Sequence, residues 1–230
     1  MSSTNRAAAG GARDRRHKRD LYETPGWVTR AILPHLDLTG EVWEPACGGG
    51  AIVRELLRAG VPASKLLASD IEPLLGGGIR QDFRTDRTAG LLAEVGIGPR
   101  LIITNPPFRV DEKGDGVAAF LSKALQFVPP GVGQVALYCR LAWWAEGLGR
   151  MELRRDVRSR GRVTYYTLPC RPSFNGKGSD STAGGWLVVR RYYGQMRDSA
   201  VPADLLEELV DAPGLRAQWK SERQLLARRS

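Results

Sequence analysis

At 230 residues, 42% of them hydrophobic, the chain can bury one full single-domain core. No run of 18 apolar residues occurs, and the polar first twenty residues lack an apolar signal region, so neither a membrane span nor secretion is expected. A net charge of +9 and a pI near 9.9 fit a polyanionic partner, whereas three cysteines and two histidines argue for buried thiols in a reducing, cytoplasmic compartment, with no disulfide framework and no metal.

Residues 1–19, with Arg13, Arg15, Arg16, Lys18 and Arg19, read as a disordered basic arm, and residues 20–230 as one domain. A helix over 26–36 precedes a strand over 41–46. That strand runs into the loop Cys47-Gly48-Gly49-Gly50, which opens a helix over 50–59 with the apolar period of Ile52, Val53, Leu56 and Leu57. Glycines at a strand-to-helix turn permit positive φ and close backbone approach to a ligand. No Gly-Lys-Ser/Thr follows, so this is not a phosphate loop, and the six-residue dinucleotide fingerprint is absent. A strand over 65–70 ends in Asp70, some 20 residues past the loop, where a carboxylate suits vicinal ribose hydroxyls.

After a short strand near 79–83 and a helix near 87–95, the apolar strand 100–104 ends in Asn105-Pro106-Pro107-Phe108. This tetrapeptide combines an amide, a backbone carbonyl outside any helix or ladder, and an aromatic face. The set suits an exocyclic amine on a planar ring. Such an amine is a poor nucleophile because its lone pair is delocalised, until acceptors draw its hydrogens out of plane. The Asn105 side-chain oxygen and the Pro106 carbonyl can do this while Phe108 stacks on the ring.

The polar segment 111–116 beside this loop reads as mobile. A helix over 117–127 is ended by Pro129-Pro130-Gly131, and a strand over 134–140 and a basic helix over 147–159 follow. Strands over 163–168 and 185–193 are expected to pair as an antiparallel edge. The pattern Leu205, Leu206 and Leu209 predicts a helical basic tail over 194–230. Strand–helix alternation of this kind means a mostly parallel α/β sheet with helices on both faces, and ligands then bind beyond the carboxyl ends of the strands. Each motif named above falls at such an end. Arginine-rich stretches, including Arg150 to Arg162 with Arg154, Arg155, Arg158 and Arg160, can neutralise phosphates without reading sequence.

Glu44-Pro45-Ala46-Cys47-Gly48-Gly49-Gly50, Ser69-Asp70-Ile71, Gln81-Asp82-Phe83 and Asn105-Pro106-Pro107-Phe108, in this order, resemble the S-adenosylmethionine-dependent adenine-N6 DNA methyltransferases. Tyr22-Glu23-Thr24-Pro25 and the helical stretch after it resemble that family's N-terminal cofactor segment, and Cys170 to Gly178 resembles a loop of small phage and prophage members. The resemblance spans roughly residues 20 to 193 and implies a Rossmann-like class I methyltransferase fold. It implies that Thr24, Pro25, Glu44, Ala46, Cys47 and Gly48 line the methionine end of S-adenosylmethionine, that Asp70 holds the ribose and that Ile71 packs on the cofactor's adenine. Asp82, with Phe83 beside it, would accept from that adenine's amino group. Asn105 and Pro106 would orient the target amine, Phe108 would stack on the target base, and Pro107, Phe174 and Lys177 would lie on the substrate side.

The implied partner is DNA, with the target base flipped out of the duplex at a cost of a few kcal/mol. No covalent nucleophile is needed, and Pro169-Cys170 lies far from the Asn105 loop. Many members carry Tyr at the position of Phe108. No separate target-recognition domain is evident, since about 37 residues follow residue 193. Target sequence and oligomeric state stay open. So do an RNA adenine methyltransferase, a protein-glutamine methyltransferase with a similar Asn-Pro-Pro-aromatic loop, and a non-catalytic nucleic-acid module. The Tyr22 to Pro25 segment and the basic clusters favour nucleic acid.

Overall fold

Leu101, Ile102, Ile103 and Thr104 have no exposed surface, so this strand must be covered on both faces, as the centre of a parallel sheet is. The computed structural model describes residues 23–108, 114–146, 148–174, 183–193 and 205–208. The expected arm 1–19, residues 111–113 of the 111–116 segment, Lys177 and all of the tail except 205–208 lie outside them.

Within the described residues the strands are β1 (Val42–Glu44), β2 (Leu66–Asp70), β3 (Ile79–Arg80), β4 (Leu101–Thr104), β5 (Gln134–Arg140), β6 (Gly161–Thr167), β7 (Gly184–Arg191) and β8 (Leu205–Glu208). They form one sheet in the order β3-β2-β1-β4-β5-β7-β6-β8. The first five are mutually parallel, and β7 runs antiparallel between β5 and β6. This is the expected mixed architecture, with the antiparallel strand β7 two places in from the β8 edge.

Side-chain alternation divides the core in two. Val42, Leu101, Ile103, Ala136, Tyr138, Trp186 and Val188 face α1 (Gly26–Ile32) and α2 (Ala51–Arg58). Trp43, Ile102, Val135, Leu137, Cys139, Leu187 and Val189 face α3 (Arg87–Val95), α4 (Gly116–Phe127), α5 (Leu141–Ala145) and α6 (Met151–Arg160). A strand period of two therefore assigns every second apolar residue to the opposite layer. Trp186 Nε1 donates to the Val28 carbonyl at 2.9 Å, fastening α1 to the antiparallel strand.

Local chemistry sets the element ends. The expected 26–36 helix stops at Ile32 and tightens into a 3₁₀ turn over Leu33–His35, because Pro34 has no N–H to continue the α-helical ladder. Asp115 caps α4 by accepting from the Ala118 N–H at 3.0 Å. The expected basic helix 147–159 is observed as α6, preceded by a 3₁₀ turn, and α5 follows β5 directly.

One expectation is corrected, and one residue shows a further role. Leu205–Glu208, predicted as helix, forms β8, paired parallel to β6 from Thr164↔Leu205 to Thr167↔Glu208. The outer edge of β6 offers unpaired main-chain groups, and pairing there overrides the helical spacing of the leucines. Phe83, expected beside the cofactor's adenine, is buried within an aromatic cluster. Its ring lies 5.0 Å from Trp43 and 4.9 Å from Phe120, and its carbonyl accepts from the Thr88 hydroxyl at 2.8 Å. Its position follows from the chain reversal after β3, which points residue 83 under the sheet. Phe83→Ala should therefore lower unfolding free energy by about 3–5 kcal/mol in urea titrations. A destabilisation below 1 kcal/mol would count against this core role.

Candidate functional site

Parallel pairing brings the carboxyl ends of β1, β2, β4 and β5 to one edge, and the end residues there are Glu44, Asp70, Thr104 followed by Asn105, and Arg140. Polar groups at this edge sit against a dry core on one side and loops on the other.

The glycine loop is fastened to β2 by two main-chain donors. Cys47 N–H donates to the Ser69 carbonyl at 2.9 Å, and Gly48 N–H donates to Asp70 Oδ2 at 2.9 Å. The Gly48 carbonyl accepts in turn from the Leu74 and Leu75 N–H groups. Gly50 takes φ 81° as it starts α2, the left-handed region that favours glycine. A Cβ on Gly49 would collide with the Glu23 carboxylate, so the segment before α1 closes over this loop. Asp70 Oδ1 accepts from the Glu72 N–H at 2.8 Å. Asp70 thus organises the turn, and each of its oxygens retains a second lone pair for a ligand hydroxyl. Ile71 beside it is 61% exposed, an open apolar face next to a polar turn.

Glu44 is fully buried. Its Oε1 accepts from the Ala46 N–H at 3.0 Å, while Oε2 has no hydrogen-bond partner among the described residues. Burial pushes the carboxyl up to about 8; the Thr104 side chain and the Ala46 N–H oppose the rise, and the negative charge of Asp70 adds to it. The Thr104 hydroxyl is itself left without a well-formed hydrogen bond, so burial dominates over that contact. Burial, reinforced by Glu44 and Asp70, likewise pushes the Cys47 thiol up to about 12, leaving it protonated and unreactive at neutral pH.

At the β4 end, the Asn105 side-chain amide donates through Nδ2 to Thr24 Oγ1 at 3.1 Å, while Oδ1 is buried and accepts nothing among the described residues. Thr24 is buried and Pro25 caps α1, so one residue expected at the donor's methionine end, Thr24, stands against the Asn105 loop. Pro106 is buried; Pro107 and Phe108 are exposed, Phe108 to 41%. The Phe108 carbonyl accepts from Gly116 N–H at 3.2 Å, closing the loop onto α4. Ala46 sits half-buried against the core.

Two expected residues have other close partners. Asp82 is gripped by Arg84, whose Nε and Nη2 reach its two oxygens at 2.9 and 2.8 Å; this pairing holds the carboxyl below its usual range against the opposing effect of burial. Phe174 packs edge-on against Tyr138 with centroids 5.6 Å apart, behind the buried Ser173.

Sequence reading missed Arg140, whose guanidinium lies 5.3 Å from the Phe108 ring centroid. Its position as the last residue of a strand, like Glu44 and Asp70, was the available signal. Also missed was the Asp115 cluster. Trp143 Nε1 donates to its Oδ2 at 2.8 Å and Arg150 Nε donates to the same oxygen at 2.9 Å. Burial acts to raise the Asp115 pKa, but the Ala118 N–H, Arg150 and Trp143 together hold it below its usual value. Much of the Arg150 to Arg162 cluster is internally engaged. Arg154 donates to the Trp144 and Glu146 carbonyls, Arg160 pairs with Asp156, and Arg158 lies over Trp144.

No protein-family model and no curated protein sequence matches the chain. Solved structures do. A Listeria monocytogenes protein assigned to the class I S-adenosylmethionine-dependent methyltransferases superposes with a TM-score of 0.59 at 15% identity, over 94% of this chain and 75% of that one. The type I restriction enzyme EcoKI M protein gives 0.57 at 16% identity, over 77% of this chain and 46% of that one. DrdV, solved as a complex with DNA, gives 0.59 at 14% identity over 88% of this chain and 29% of that one. This chain thus spans less than half the length of the latter two. The fold is that of the Rossmann-like class I methyltransferases.

The buried Glu44 carboxyl has a pH signature. Below about 4.5 it is protonated in folded and unfolded chains alike; from there to about 8 only the unfolded chain ionises, so stability falls as pH rises through that window. Glu44→Gln removes this contribution. In urea unfolding of the donor-free protein, the variant should gain on the wild type by on the order of a few kcal/mol between pH 5 and 8. Parallel pH profiles would show that Glu44 ionises freely in the folded chain.

Proposed function

We propose that this chain is an S-adenosylmethionine-dependent methyltransferase acting on the N6 amine of adenine in DNA. The observation that carries the reading is the Asn105 amide: its nitrogen is tied back to Thr24, and its oxygen is a buried, unused acceptor at the end of a central parallel strand. An unsatisfied buried acceptor is costly, and a ligand N–H is the natural remedy.

The residues present fit the proposed donor. The Glu44 Oε2 orphan suits the cationic methionine end, Asp70 can take ribose hydroxyls, and exposed Ile71 offers an apolar face for a purine. S-adenosylmethionine supplies an electrophilic sulfonium methyl with a good leaving group. In this reading, Asn105 Oδ1 and the Pro106 carbonyl accept the two hydrogens of the target amine, so its lone pair turns out of the ring toward the methyl. Phe108 holds the ring by stacking, with Arg140 on its aromatic face. The work left to the protein is positioning and exclusion of water, and neither a metal nor a cysteine nucleophile is required.

The DNA assignment is supported by basic composition and by fold likeness to the EcoKI M protein and to DNA-bound DrdV. With labelled S-adenosylmethionine and double-stranded DNA, single-stranded DNA, RNA or cell-extract protein, label should appear as N6-methyladenine in DNA. Label in RNA or glutamine would replace the substrate, and label nowhere would refute transfer. Asn105→Ala should lower turnover by about 10³-fold or more while retaining donor affinity. Equal loss of both would make Asn105 structural.

A further inference from the structure

A primary amide has two ends of nearly equal shape and opposite hydrogen-bonding sense. At the Asn105 position this matters more than usual. An oxygen facing the acceptor amine withdraws its hydrogens and frees the lone pair, whereas an NH₂ facing it would repel those hydrogens. A neighbouring hydroxyl can pair with either end, and here the bond observed is the one from the amide nitrogen, which leaves the oxygen for the substrate.

We infer that Thr24 is the positioning residue that turns the Asn105 carboxamide so that its oxygen meets the substrate amine; this rests on the methyl-transfer reading above. Asn105 Nδ2 donates to Thr24 Oγ1 at 3.1 Å, and Oδ1 is left as the buried end without a partner among the described residues. Thr24 is only 5% exposed, which removes water as a competitor for the amide nitrogen. Its anchorage is rigid. The Pro25 carbonyl accepts from the Val28 N–H at 2.9 Å at the start of α1, and Trp186 Nε1 holds the Val28 carbonyl from the sheet at 2.9 Å. The Glu23 carboxylate reaches the Gly49 backbone on the other side, so the three residues Glu23, Thr24 and Pro25 link the glycine loop to the Asn105 loop. The hydroxyl that orients the amide therefore belongs to the same short segment whose Glu23 lies against the glycine loop.

Thr24→Val keeps the shape and removes the acceptor; Thr24→Ser keeps the acceptor and removes a methyl. With both substrates saturating, Thr24→Val should lower kcat by about 10²-fold, and Thr24→Ser should recover most of it. Affinity for S-adenosylhomocysteine, measured by calorimetry, should change by no more than about threefold, since the amide and not donor binding is affected. An independent reading needs no turnover. The side-chain NH₂ resonances of Asn105, assigned by their loss in Asn105→Ala, should shift upfield in donor-free Thr24→Val and return in Thr24→Ser. Should Val not be accommodated, Thr24→Ala gives the same comparison. Wild-type kcat in the acceptor-free variant, a loss confined to donor affinity, or unmoved amide resonances would each overturn the inference. A wild-type chain that methylates nothing would refute the methyl-transfer reading instead, with the resonances still reporting whether Thr24 holds the amide.

Discussion

The central parallel strands β1, β4 and β5 are covered on both faces, and this constraint organises the rest of the molecule. A strand buried on both sides has no place for a polar side chain along its length, so the polar groups collect where the strands stop. Parallel direction then puts those stops on one edge: Glu44, Asp70, Asn105 and Arg140 reach it from different stretches of sequence because their strands share one direction. The antiparallel β7 closes the sheet on the β5 side. Through Trp186 it anchors α1, the helix whose leading residues close over the site.

At that edge, loops rather than side chains from the core complete the hydrogen-bonding. Asp70 is used twice by backbone N–H groups, and the glycine loop hangs from β2 by Gly48 and Cys47. Among the buried polar atoms left unpartnered at this edge, which also include Thr104 Oγ1, two stand out. Glu44 Oε2 and Asn105 Oδ1 are buried acceptors without donors, one at the end of β1 and the other just past the end of β4. Native proteins leave few such groups, and those that persist commonly mark ligand sites. The two sit where a cationic donor and an amine acceptor would each bring the missing N–H.

The architecture was largely legible beforehand. Strands near 41–46, 65–70, 100–104 and 134–140 announce themselves as short apolar runs bounded by glycine, proline or charge, and the loops between them carry the motif residues. Boundaries shifted by a few residues where Pro34 shortened a helix. The helix expected over Leu205 and Leu206 was a local pattern that a long-range partner overrode. Leu205 and Leu206 have helical spacing but found an open edge on β6. Asp82 and Phe83 look like an adjacent polar–aromatic pair, and the structure adds partners that the pair does not announce: Arg84 for the carboxylate, Trp43 and Phe120 for the ring. The arginines of α6 look like a phosphate-binding stripe, yet several satisfy carbonyls and carboxylates of their own chain.

What the amino-acid order determined by itself was the set of strands, the side of each strand that is apolar, and the chemical groups placed at strand ends, because these depend on periodicity and on residues adjacent in the chain. Tertiary structure alone decided which of those groups would meet. The bond from Asn105 to Thr24 joins residues 81 positions apart, and the Phe108–Arg140 stack joins two different strand ends. Such pairs depend on strand order and register, which are set by how the whole sheet packs and leave no trace in the local sequence.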